Sequence, residues 1–256
     1  MSKAIETHNL AVFCDFENVA LGVRDANYAQ FDIKKVLEKL LLKGSIVVKK
    51  AYCDWERYKE FKAAMHEAAF ELIEIPHVRQ SGKNSADIRM VVDALDLCYT
   101  KSHVDTFVIV SGDSDFSPLV SKLRENDKKV IGVGVKKSSS DLLIANCDEF
   151  IYYDNLVSRV KKPLKPARKT TAKSTSAPKQ DKAAETRIQE ALDLLMETLE
   201  ALAEERGSED KIWGSMVKQT LKRRRPGFNE SYYGFRSFNR LLEDAASRGL
   251  IKLEPD

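Results

Sequence analysis

From Leu10 to about Tyr153 the chain alternates between two hydrophobic patterns. Short apolar runs occur at LAVFC (10–14), SIVVKKAYC (45–53), FELIEI (70–75), TFVIV (106–110), KKVIGVGV (128–135) and EFIYY (149–153). Between them, FDIKKVLEKLLLK, DWERYKEFKAAMHEAA, SADIRMVVDALDLCY, DFSPLVSKLREN and SDLLIANC repeat their apolar residues every three or four positions, the period of an amphipathic helix. Strand and helix in regular turn predict βαβ units, hence a mostly parallel sheet with helices on both faces, a three-layer α/β/α domain. In such sheets a ligand sits outside the carboxyl ends of the strands.

The pattern changes twice after that. KKPLKPARKTTAKSTSAPKQDK has no aromatic residue and three prolines, too little apolar surface to offset its chain entropy. Residues 157–184 therefore read as a flexible linker. Beyond it, ETRIQEALDLLMETLEALAEE predicts a long amphipathic helix with Ile188, Leu192, Leu195 and Leu199 on one face. A second helix is expected in IWGSMVKQTLKRRRPGF, stopped by Pro226 and Gly227, and a third in YGFRSFNRLLEDAASRGLI, ended by Gly249. IKLEP is expected as a short strand, making residues 185–256 a small winged-helix-like α+β domain beside the α/β domain of residues 1–156.

Composition narrows the classes. The 256 residues are 43% hydrophobic and 32% charged, ordinary for a globular protein with room for one large domain and one small one. The chain has no apolar run of membrane-spanning length, and MSKAIETHN lacks the basic and apolar parts of a signal peptide, so a cytoplasmic location without a membrane partner is expected. Cys14, Cys53, Cys98 and Cys147 are isolated, with no C-x-x-C pair and no histidine at zinc spacing, and read as reduced thiols. The net charge of +3 is unevenly spread: nine basic residues against one acid give Val157 to Lys182 a charge of +8, leaving −5 for the rest. That basic stretch reads equally as a solubilising tether and as an arm that holds nucleic-acid phosphates.

The acids supply the candidate chemistry. Asp15 directly follows the first apolar run and Asp113 follows the fourth, so both stand at carboxyl ends and converge if those strands are neighbours. In KNSADIRMVVDAL either Asn84 or Ser85 caps the helix, which places Asp87 in its first turn. Asp115 and the Asn18 amide complete an oxygen-rich group. Each acid taken singly also reads as a helix cap or a dipole partner, Asp115 especially. Together, oxygen ligands without His or Cys select a hard cation, Mg²⁺ or Mn²⁺, which suits phosphoryl chemistry. Asp93, six residues past Asp87, points elsewhere on the helix and reads as structural.

DFENVALG, KNSADIRMVVDAL and VIVSGDSDFSPLVSKLRENDKKVIGVG resemble, in order and spacing, the three signatures of the NYN domain, in its LabA-like branch of the PIN-like nuclease superfamily. The resemblance implies a Rossmann-like fold and a metal-dependent ribonuclease, with Asp15, Asp87, Asp113 and Asp115 as metal ligands and catalytic acids and Asn18 as their amide partner. One or two cations would orient a water for attack on a phosphodiester, while Lys83, Ser111 and Ser114 would hold the RNA. SMVKQTLKRRRPGFNESYYGFRSFNRLLEDA resembles the LOTUS, or OST-HTH, domain, on Pro226, Phe228, Tyr233, Gly234, Phe235 and Phe238. That resemblance implies RNA, or in some members a protein, as partner. The run Lys222, Arg223, Arg224 and Arg225 is the RNA candidate there, and the aromatics read as core, which a domain of this size needs. Two other readings stay open. One is a noncatalytic RNA-binding regulator on the same scaffold. The other is a phosphatase or toprim-type enzyme resting on the D-S-D triplet, disfavoured because the first strand ends in DFEN.

Overall fold

The computed structural model describes residues 8–28, 30–75, 85–157, 179–207, 211–225 and 227–254. The chain divides into two compact units, with the boundary at Val160.

In the first unit six parallel strands, β1 (His8–Asp15), β2 (Gly44–Cys53), β3 (Glu71–Glu74), β4 (Thr106–Val110), β5 (Lys129–Gly134) and β6 (Glu149–Tyr152), lie in the order β3-β2-β1-β4-β5-β6. The first and fourth strands are neighbours, the condition on which Asp15 and Asp113 converge, with Cys14 opposite Val110. Because strand order reverses between them, their carboxyl ends form the crevice where doubly wound sheets bind ligands. Helices α1 (Phe16–Asp25), α2 (Ile33–Leu41), α3 (Lys59–Glu67), α4 (Ser85–Thr100), α5 (Ser117–Glu125) and α6 (Asp141–Asn146) lie between the strands, with a 3-10 turn at Ser114–Phe116, and α7 (Tyr153–Val157) follows β6.

The unbroken apolar runs follow from burial on both sheet faces. Leu10, Val12 and Cys14 of β1 enter a core with residues of α1, α2 and α3, whereas Ala11 and Phe13 enter a second core with α4, α5 and α6. Phe13 stacks on Phe107 of the paired strand, ring centroids 6.0 Å apart. Cys14, Cys53 and Cys98 are buried, Cys147 is half-buried, and all four are free thiols, as expected.

Helix α1 is absent from the sequence expectation. Its buried stripe is Phe16, Val19, Gly22 and Val23; a glycine and two β-branched residues are poor helix formers, and Gly22 shows no apolar side chain where the stripe passes. Gly22 packs close to the 136–140 turn: a Cβ there would lie 2.4 Å from Ser138 Oγ, which would have to swing aside.

The second unit holds α8 (Lys179–Arg206), α9 (Gly214–Arg224) and α10 (Phe238–Ser247) around a core of Leu192, Leu195, Leu202, Leu221, Phe238 and Leu241. Helix α8 starts inside the segment expected to be linker, whose residues 158–178 lie outside the described ones. The expected short strand is not formed: residues 251–254 pair with no strand among the described residues. Phe228, Phe235 and Phe238 are buried, as their reading as core requires. No helix among the described residues is long and apolar enough to cross a membrane.

Phe13 joins the two central strands through its ring. Phe13→Ala is expected to lower stability by about 3–5 kcal/mol, measured by urea unfolding; a loss under about 1 kcal/mol would show that this layer can collapse around the cavity.

Candidate functional site

Asp15 ends β1 and caps α1, its Oδ1 accepting from the Asn18 backbone N–H at 3.4 Å. One residue beyond the last β1–β4 pair, Ser111 donates its hydroxyl to Asp15 Oδ2 at 3.0 Å and accepts the Asp113 N–H at 3.2 Å. Asp15 is only 7% exposed, and no cationic side chain bonds it among the described residues. Its pKa is therefore pushed up to about 7, by burial first and by the charge of Asp87 next; the Ser111 and Asn18 bonds partly counter this, and Asp113 adds to it. Asp87, in the first turn of α4, is raised by burial and by the charges of Asp113, Asp115 and Glu17. Four acids from three separate segments thus act on one another across the β1–β4 crevice, together with Glu17.

Asp113 and Asp115 divide their work differently from the sequence expectation. Asp113, not Asp115, is the cap: it precedes the 3-10 turn and its Oδ1 accepts the Asp115 N–H at 3.0 Å. Phe116 occupies the cap position of α5, and Asp115 is left exposed. Asn18 reaches across the crevice, its side-chain oxygen accepting the Gly112 N–H at 2.9 Å, which leaves its NH₂ group and one oxygen lone pair to meet a ligand. Ser111 is fully buried with its hydroxyl engaged twice, so it positions Asp15 and is not the RNA contact expected of it. Ser114 is half-buried in the turn beside Asp113. Lys83 and Asn84 lie outside the described residues. Asp93 is structural, as expected: it accepts from Tyr52 Oη at 2.9 Å, Arg89 Nε at 3.1 Å and Lys50 Nζ at 3.3 Å.

In the second unit the run Lys222 to Arg225 splits. Arg224 donates to Glu197 on α8 at 3.1 Å and its side chain is 13% exposed. Arg223 is half-buried, bonds Thr220 Oγ1 at 3.0 Å, and burial lowers its pKa. Both are therefore withdrawn from the RNA-binding set expected here, leaving Lys222 and Arg225 exposed.

A model of the NYN domain matches residues 9–156, the whole six-stranded unit. The chain belongs to the NYN domain family. An uncharacterized protein of Methanocaldococcus jannaschii is 29% identical over 136 residues, which is 53% of this chain and 51% of that protein. The chain thus spans about half the length of this curated relative. A crystal structure of a protein of unknown function from Vibrio parahaemolyticus is 27% identical, with a TM-score of 0.53 over 60% of this chain and 98% of that one.

NYN and other PIN-like nucleases generally use divalent ions. The donor set fits one in kind, since every candidate ligand is a carboxylate and no cation among the described residues offsets the buried Asp15 charge. It does not fit in closure: no three Asp, Glu, His or Cys residues among the described ones stand where they could share an ion. Asp15 and Asp113 are each tied to their own strand end by hydrogen bonds.

Two features of the NYN crevice escape the sequence reading. Arg57, just past β2, donates to Glu17 Oε1 at 3.2 Å and is 52% exposed. The turn KKSSS at 136–140 closes on the end of β4, with the Ser140 N–H bonded to Gly112 O at 2.9 Å. A Cβ on Gly112 would stand 2.6 Å from Ser138 O, so glycine alone lets the turn approach. Neither feature shows a motif or a periodicity.

The Asp15 shift makes a signed prediction for the metal-free protein. A carboxyl raised from 3.8 to about 7 disfavours the fold when ionised. The penalty is absent below about pH 4, grows as pH rises and is complete above about pH 7. Asp15→Asn keeps an oxygen acceptor for Ser111 and removes the charge. In EDTA it is expected to be more stable than the wild type by on the order of 2 kcal/mol at pH 8, the gap closing toward pH 4. Urea unfolding at both pH values checks this, and a less stable variant at pH 8 would contradict it.

Proposed function

We propose that the chain is a divalent-metal-dependent ribonuclease whose basic stretch and LOTUS-like C-terminal unit bring RNA to the carboxylates. The observation that carries this reading is Asp15, an acid buried at the β1–β4 crevice and pushed toward neutrality by burial and by Asp87 and Asp113. A fold that keeps such a charge at its ligand-binding edge gives up stability there for chemistry.

Asp15, Asp87 and Asp113 would hold the ion, Mg²⁺ or Mn²⁺, with Asp115 as an exposed fourth acid. When bound, such an ion supplies a hydroxide-forming water and offsets charge on a phosphodiester. The chain's own residues set the geometry. Ser111 orients Asp15, and the Asp115 N–H orients Asp113. Asn18 presents an NH₂ group to a phosphate oxygen while its oxygen pins Gly112. Ser114 offers a hydroxyl beside Asp113.

One observation favours a second reading, the noncatalytic RNA-binding regulator: among the described residues the acids do not gather into a group that could hold an ion. RNA cleavage in Mn²⁺, Mg²⁺ or EDTA separates the two. The wild type is expected to cut RNA with the ion and not with EDTA, and Asp113→Asn to lose at least about 100-fold in rate. RNA binding without cutting in any metal selects the regulator; cutting that survives Asp113→Asn assigns the activity elsewhere.

For the C-terminal unit, Lys222→Ala with Arg225→Ala is expected to weaken RNA binding without changing the melting temperature. Arg224→Ala, which strips Glu197 of its partner, is expected to lower the melting temperature by a few degrees. Fluorescence anisotropy and thermal melts of the same proteins check both.

A further inference from the structure

The acids at the β1 and β4 ends have cations on either side of them along the strand order. On one side Arg57 follows β2 in a turn closed by its own N–H to Asp54 O at 3.1 Å. Its side chain meets Glu17 at 3.2 Å and leaves the rest of the guanidinium to solvent at 52% exposure. Glu17 belongs to the acids whose charge is felt at Asp87, so Arg57 stands beside the cluster. On the other side Lys136 and Lys137 follow β5, both exposed, with no side-chain partner for either among the described residues. Their backbone is held: the Lys136 N–H donates to Asp154 Oδ2 at 2.7 Å, the Ser138 N–H to Val135 O at 3.1 Å, and the Ser140 N–H to Gly112 O at 2.9 Å. Gly112 is bonded in turn to Asn18 and is the neighbour of Asp113.

The order across the edge is therefore cation, acids, cation. With neighbouring strands about 4.8 Å apart, the β2 and β5 ends are separated by about 14 Å, a reach that a few nucleotides of extended backbone cover. An acidic centre repels a polyanion, and flanking cations are what would hold its phosphates in place there.

We propose that Arg57 and the pair Lys136 and Lys137 hold the phosphates on either side of the scissile one, so that the polynucleotide crosses the sheet edge from β2 to β5 over the carboxylates. Glu17 parks the Arg57 side chain until a phosphate replaces it. This inference rests on the nuclease reading.

The test uses the full chain with Asp113→Asn, which prevents cutting, and a short fluorescent single-stranded RNA titrated at several salt concentrations in Mg²⁺. Arg57→Ala and the double variant Lys136→Ala with Lys137→Ala are each expected to weaken binding about tenfold and to flatten the slope of log affinity against log salt by about 0.7 for each phosphate no longer neutralised. Arg57→Lys is expected to recover most of the slope. Lys101→Ala, an exposed lysine between α4 and β4 at the opposite edge, is expected to change neither quantity. In the otherwise wild-type chain, the Arg57 and Lys136/Lys137 substitutions are expected to raise KM about tenfold with kcat within about threefold, the split that weaker substrate binding produces. Unaltered affinity and slope in a protein that still binds RNA overturn this inference alone. Equal losses from Lys101→Ala also overturn it, since general charge would then explain binding. A parent that binds no RNA overturns it together with the nuclease reading.

Discussion

The register between β1 and β4 governs the rest of the site. Cys14 lies opposite Val110, so the next residues along, Asp15 and Ser111, meet at the strand ends with a 3.0 Å hydrogen bond between them. A one-residue slip would turn every side chain of β1 to the other face, moving Phe13 out of one core and Cys14 out of the other. Two separately packed cores resist that slip. The position of a buried acid is thereby fixed by hydrophobic packing on both faces of the sheet.

That acid has an energetic consequence. Burial and the neighbouring carboxylates oppose its ionisation, and the two bonds it accepts only partly offset them. The same hydrogen bonds that hold Asp15 and Asp113 in orientation also hold them to their own strands, and no ion-binding trio is drawn together among the described residues. Restraint and repulsion act in the same direction here. A cation would reverse the repulsion, because each carboxylate that now raises the pKa of its neighbour would share a counter-charge with it.

Much of this was legible in the sequence because parallel strands buried on both faces read as plain apolar runs. The six runs match the six strands within a few residues; Asp15 and Asp113 were legible from their places after two of them, and Asp87 from the start of a helix. What escaped had no local signal. Helix α1 hides behind Gly22, whose buried position carries no side chain. The Arg57–Glu17 pair and the approach of residues 136–140 to Gly112 are tertiary contacts that no spacing announces. Ser111 looked like a substrate hydroxyl because exposure cannot be read from a residue's type, and the strand expected in IKLEP lacked a partner to pair with among the described residues.

The basic run at 222–225 carries the same lesson further. Successive residues on a helix are turned by about 100°, so four in a row cover the whole circumference and cannot share one face. Arg223 and Arg224 fall on the side where Thr220 and Glu197 take their hydrogen bonds, and Lys222 and Arg225, three apart, fall together on the open side. Charge counted along a helical segment overstates the charge available to a ligand by about a factor of two here. The turn at 136–137 is the opposite case. Two adjacent lysines outside any helix, on a backbone held at both ends, both remain exposed, so the smaller cluster presents as much free charge as the larger.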